Sequence, residues 1–128
     1  MKDYKQLKVW QEAHELAKIM HRIVKTLPKN EQYALAQQLW RASYSVPANI
    51  AEGASRATEK DFKHFLHTAL GSARELSYFL LLMKDIGYIK EKEFAVLEDK
   101  TDKVCRMLIN FITAMNSSGV RRPASRGD

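Results

Sequence analysis

The chain holds one cysteine, three prolines and five glycines in 128 residues. A lone Cys105 excludes an internal disulfide framework, so a domain of this length must hold together through its core. Its spacing from Val104 and Leu108 sets it beside an apolar helix face, where it reads as a packed thiol in a reducing compartment. No apolar run approaches the roughly 18 residues of a membrane span, and the first 30 residues are amphipathic and charged. A cytoplasmic location without a membrane partner is therefore expected. The chain also lacks a glycine-rich phosphate cradle, a nucleophile elbow and any paired zinc-ligand spacing. No Glu is followed three residues later by His, the inward-facing pair of di-iron bundles. Asp61, His64 and His67 come nearest to a ligand set, but their register points both histidines away from the core line. No metal, cofactor or small-molecule substrate is expected, and the chain reads as a non-enzyme. No stretch alternates with period two, so no strand is expected either.

What the chain has is helical periodicity. Val9, Ala13, Leu16, Met20, Ile23 or Val24, and Leu27 recur on one side, so the first helix is expected over Leu7 to Leu27, ended by Pro28. Asn30 reads as the N-cap of a second helix that carries Leu35, Leu39, Ala42, Val46 and Ile50 inward and stops near Glu52, with Gly53 as its left-handed terminator. Thr58 caps a third helix reaching about Ile86, with Phe62, Leu66, Ala69, Ala73, Leu76, Leu80 and Met83 inward. Gly87 stops it, with Tyr88 and Ile89 packed beneath the turn. A fourth helix from about Glu91 repeats the spacing in Phe94, Leu97, Thr101, Val104, Leu108, Phe111 and Met115. Short connections between such helices imply an all-α, antiparallel up-down-up-down four-helix bundle over residues 1–115. Residues 116–128 read as a disordered basic tail.

Two features stand out against this plain plan. The second helix runs straight through Pro47, which deletes a backbone hydrogen bond, collides with the Ser43 carbonyl and costs about 3 kcal/mol, so a kink is expected there. The same helix carries a polar stripe, Gln38, Arg41, Ser45, Asn49 and Glu52, within roughly ±40° of one line. Such a stripe is expected to meet a second surface, either another helix or another subunit. On the third helix, Gly71 lies opposite the core line, where glycine costs about 1 kcal/mol against alanine without packing gain. With Arg74 and Tyr78 beside it, that face is expected to contact another subunit.

Charge is uneven along the chain. The net charge is +6, and residues 1–29 contribute seven Lys or Arg against three acids. Lys18, Arg22, Lys25 and Lys29 fall within about 40° of one direction on an ideal helix, opposite the apolar side. A cationic ridge of this kind is a footprint for phosphate-rich partners, RNA or DNA, although solvated bundle helices carry charge as well. The other reading is a protein–protein scaffold or adaptor whose charge serves solubility alone.

The residues also carry a family likeness. Leu7 with Trp10 and Ala13, Leu27-Pro28 with Glu31, Leu35 and Gln38 leading into Arg41 and Ala42, and the whole of Ser45 to Gly53 form its first half. Phe62, Phe65, Leu66, Ala69, Gly71, Ser72 and Glu75, then Gly87-Tyr88-Ile89, complete it. Over roughly residues 4–115 the chain resembles the four-helix-bundle family first met as reading frames in intervening sequences of bacterial 23S ribosomal RNA genes. The resemblance implies a cytosolic homo-oligomer, a ring of five bundles. It also implies a fold shared with the accessory variability protein of diversity-generating retroelements, a basic protein that binds nucleic acid and a reverse transcriptase.

Overall fold

In a computed structural model, residues 3–121 are described, with side chains for 3–116. Four helices follow one another: α1 (Lys8–Val24), α2 (Leu35–Ala54), α3 (Glu59–Asp85) and α4 (Glu91–Arg121). Short 3-10 turns at Tyr4–Gln6 and Lys29–Glu31 precede α1 and α2. No strand occurs among the described residues. Each helix packs on the next, and α4 returns to α1. The apolar repeats meet in one core, with Met20, Leu39, Ile50, Leu66, Leu76, Leu80 and Leu108 shut off from solvent. At one end, Leu7, Ala54, Phe62, Phe111 and Met115 line a common hollow. At the other, Ile19 and Ile23 of α1 share one with Gly87, Tyr88 and Leu97.

Helix α1 stops a turn earlier than its apolar repeat implies. Pro28 disfavours the helical conformation at Leu27, and Lys25 is already the C-cap. The Thr26 hydroxyl then donates to the Ile23 carbonyl at 2.7 Å. Leu27 still reaches the core, but from the turn. Gln32 ties this end together: its side-chain amide donates to the Leu27 carbonyl at 2.9 Å and to the Val24 carbonyl, which also accepts from Leu27 N–H, at 3.3 Å. Asn30 consequently lies within the 3-10 turn and caps nothing, and α2 begins at Leu35.

Gly53 does not close α2 as a left-handed residue. The helix continues through it to Ala54, and Gly87 is the one described glycine with positive φ, at 86°. A Cβ on Gly53 would lie 2.9 Å from the Phe62 ring, 2.9 Å from the Phe65 Cβ and 3.2 Å from the Phe62 carbonyl. Its bareness therefore lets α3 cross close to the end of α2. Gly87 does what was expected of it: Tyr88 N–H donates to Met83 at 2.8 Å and Gly87 N–H to Lys84 at 3.1 Å, a Schellman closure. Thr58 likewise caps α3, accepting from Asp61 N–H at 3.1 Å.

Helix α4 passes the expected domain edge at Met115 and continues to Arg121. Asn116 is tied to the body, accepting from the Lys63 ammonium at 2.7 Å. Residues 122–128, the rest of the expected tail, lie outside the described residues.

Candidate nucleic-acid interface

Between α1 and α2 the surface opens into a groove of about 540 Å³ lined by His14, Ala17, Lys18, His21, Arg22, Trp40, Tyr44 and Pro47. The α1 members recur at i, i+3, i+4, i+7 and i+8, which keeps them on one helix edge. The α2 members Trp40 and Tyr44 are one turn apart, and Pro47 continues their line. Ala17 and Pro47 are buried and short, so the floor stays low between taller walls.

The rings at and beside the groove form two clusters. Trp40 meets Tyr44 edge-to-face at 5.3 Å and His21 at a tilt at 5.0 Å. Trp10 stacks on His14 at 4.7 Å with planes 10° apart, and Tyr4 meets Trp10 at 5.1 Å. Both tryptophans are half-buried, in keeping with their place at the margins of the apolar faces. Tyr44 is 45% exposed.

Of the four ridge cations, two line this groove: Lys18 and Arg22. Lys25 stands exposed at the helix end, and Lys29 leaves the ridge, because α1 has ended and the chain has turned into the 3-10 segment. Lys18 is part-neutralised by Glu15 at 3.0 Å, both remaining more than half exposed. The Lys18 hydrogen bond and charge hold the Glu15 carboxyl below the usual range. No carboxylate lines the groove itself. His14 and His21 look like ordinary surface residues when α1 is read alone. Their spacing against Lys18 and Arg22, with Trp40 and Tyr44 facing them, is the signal that α1 alone does not reveal.

The polar stripe of α2 divides. Its middle meets α3: the Ser45 and Ser72 hydroxyls are 2.9 Å apart, and the Asn49 amide donates to the Ser45 carbonyl at 2.8 Å and hydroxyl at 3.0 Å. Pro47 lies on the other side of α2, buried toward α1, and its missing N–H leaves the Ser43 carbonyl without its helical donor. The stripe's ends stay at the surface. Arg41 is exposed, and Glu52 is half exposed and paired with Arg56 at 2.7 Å, whose guanidinium lies 4.7 Å over the Phe65 ring.

A second surface lies between α3 and α4. Gly71 is exposed, and a Cβ there would meet nothing within 4 Å. Further along the same face Arg74, Tyr78 and Leu81 share a groove with Glu98, Asp102, Cys105, Arg106 and Ile109. Tyr78 and Leu81 are 57% and 41% exposed. Cys105 is half-buried, and burial pushes its thiol up against an opposing pull from Arg74, with Asp102 adding to the rise. That leaves a protonated thiol of low reactivity. Among the described residues no cluster of His, Cys, Asp and Glu could hold a metal, and His64 and His67 are exposed. No described helix is long and apolar enough to cross a membrane.

Fold and surface together define a small all-α bundle with one cationic, aromatic groove and one mixed-charge apolar face. The chain belongs to the family of 23S rRNA-intervening sequence proteins, whose pattern it matches over residues 5–110. It is similar to a protein of unknown function from the S23 ribosomal protein family of Bacteroides thetaiotaomicron, solved as a crystal structure. The TM-score is 0.76 at 28% identity, covering 81% of this chain and 97% of that one. No curated protein matches the chain.

Proposed function

We propose that this protein is a non-enzymatic, cytoplasmic, oligomeric bundle that binds nucleic acid, RNA or DNA, through the α1–α2 groove. The observation that carries the reading is the pairing, in one groove without carboxylates among its lining residues, of Lys18 and Arg22 with the half-buried Trp40 and the exposed Tyr44. Cations neutralise phosphates and release their counterions, and rings add contact with bases or sugars. The family's link to ribosomal RNA genes supports a nucleic-acid partner. Lys25 extends the cationic edge beyond the groove, and Lys29 adds charge from the following turn.

Self-association fits the other face. Gly71, Tyr78, Leu81 and Ile109 offer apolar surface; Arg106 pairs with Asp102 at 2.9 Å within the chain, while Arg74 and Glu98 on the same face are the charges a second copy would match. The family resemblance favours five copies. Oligomerisation would repeat the cationic groove, so weak contacts would gain through multivalency. The same face equally supports the scaffold reading, in which a different protein occupies it and the groove has no role.

Charge reversal separates the two readings. Lys18→Glu with Arg22→Glu should abolish binding of RNA and duplex DNA at low salt while leaving helix content and solution mass unchanged. Undiminished binding in that variant overturns the groove as the interface. Gly71→Leu should lower the solution mass and keep the helices. An unchanged mass removes this face from the assembly.

A further inference from the structure

We infer that the α1–α2 groove takes an unpaired nucleic-acid strand, with a base stacked against the Trp40–Tyr44 wall and the neighbouring phosphates held by Lys18 and Arg22. This rests on the nucleic-acid reading above and narrows it to a strand whose bases are free.

The argument starts from what a duplex can offer. A paired helix shows phosphates and groove edges and keeps the π-faces of its bases inside the stack. A cationic ridge alone would serve it well. Aromatic rings beside that ridge gain little from a duplex, since no base face reaches them. An unpaired strand presents both groups alternately, which is why single-strand sites combine a positive track with stacking platforms.

This groove has that composition, sorted by wall. Cations stand on the α1 side, and rings stand on the α2 side over a floor of Ala17 and Pro47. At about 540 Å³ it falls within the roughly 300–1,000 Å³ of small-ligand clefts. Tyr44 is exposed, its ring leans edge-on against Trp40 at 5.3 Å, and its hydroxyl makes no hydrogen bond among the described residues, so one ring face and the hydroxyl stay open to a ligand. The α3–α4 groove differs where it matters: Glu98 and Asp102 offset Arg74 and Arg106 there, so it offers a polyanion no net positive charge.

The test uses Trp40 as its own reporter. The chain has two tryptophans, so full-length Trp10→Phe leaves Trp40 as the sole indole. It is titrated at low salt with a single-stranded RNA of about a dozen nucleotides, within the usual ~4–16-nucleotide footprint, and with the blunt duplex that this strand forms with its complement. Fluorescence anisotropy of the labelled oligonucleotides gives the affinities. The expected results are tighter single-strand binding, quenching of Trp40 by the single strand, and about a tenfold single-strand loss in Tyr44→Ala with duplex affinity unchanged. Tyr44 is exposed, so its removal spares the core, and a thermal melt verifies this. Equal affinity for both forms with Trp40 emission unmoved overturns this inference while the broader nucleic-acid reading survives. Binding of neither form at low salt overturns both.

Discussion

Two glycines inside helices should respond differently to alanine. At Gly71 an added methyl meets nothing within 4 Å, so the substitution should act through backbone freedom and helix propensity alone. That gain is about 0.5–1 kcal/mol. At Gly53 the same propensity gain is set against contacts of 2.9 Å to the Phe65 Cβ and 3.2 Å to the Phe62 carbonyl, atoms fixed to the α3 backbone. Forcing a methylene-sized group into a packed site costs about 1–3 kcal/mol. Gly53→Ala should therefore be neutral to about 2.5 kcal/mol less stable than wild type. The gap between the two variants is the sharper quantity, about 1–3 kcal/mol in favour of Gly71→Ala, because the shared propensity gain cancels. Urea unfolding followed by far-UV circular dichroism measures it, with all proteins at one concentration since assembly would add to apparent stability. A Gly53→Ala protein as stable as Gly71→Ala would refute the claim that α3 crosses against this glycine.

Three further outcomes are expected. Ser72→Ala removes the α3 partner of the Ser45 hydroxyl and should cost about 1 kcal/mol, with a non-additive double-mutant cycle against Ser45→Ala; full additivity would mean the hydroxyls do not interact. Tyr88 donates to the Glu31 carboxylate at 2.7 Å, which raises its phenol pKa and ties the α3–α4 turn to the segment after α1. With the folded pKa above the unfolded one, this stabilisation is complete below the unfolded value and disappears as pH rises through the folded one. Tyr88→Phe should thus melt earlier than wild type at neutral pH and equally in strong alkali, and Glu31→Gln should bring the late phenol titration back. Glu15→Gln frees Lys18 from its ion pair and should tighten nucleic-acid binding at low salt; the Glu15 carboxyl, held low by Lys18, should titrate at higher pH in Lys18→Gln when followed by NMR.

The core was legible because a helix that buries one face must repeat its apolar residues every three to four positions. Val9 through Met20, Leu39 through Ile50, Leu66 through Met83 and Phe94 through Leu108 therefore announced themselves. Helix ends were harder, since the repeat does not distinguish a buried residue on a helix from one in a turn. Leu27 is buried from a turn, and counting it as helical carried Lys29 onto a ridge it does not share. Gly53 shows the same limit: its sequence position fits a helix stop, whereas its role depends on Phe62 and Phe65 arriving from another helix. The groove was half visible. Lys18 and Arg22 could be read from α1, but Trp40 and Tyr44 belong to it only because α2 packs alongside. No local pattern encodes a neighbour across two helices.

The most direct test of the groove as a phosphate-binding surface is the salt dependence of its affinity for a single-stranded oligonucleotide. With Lys18, Arg22 and Lys25 each neutralising one phosphate, log affinity should fall against log salt with a slope of about −2 per protomer, roughly −0.7 for each contact. Between about 50 and 200 mM salt that is a loss of roughly twentyfold, and assembly would steepen it. Lys18→Gln with Arg22→Gln should flatten the slope to about −0.7, the value left by Lys25 alone. A wild-type line that stays flat across this range, or an unchanged slope in the double variant, would contradict the account.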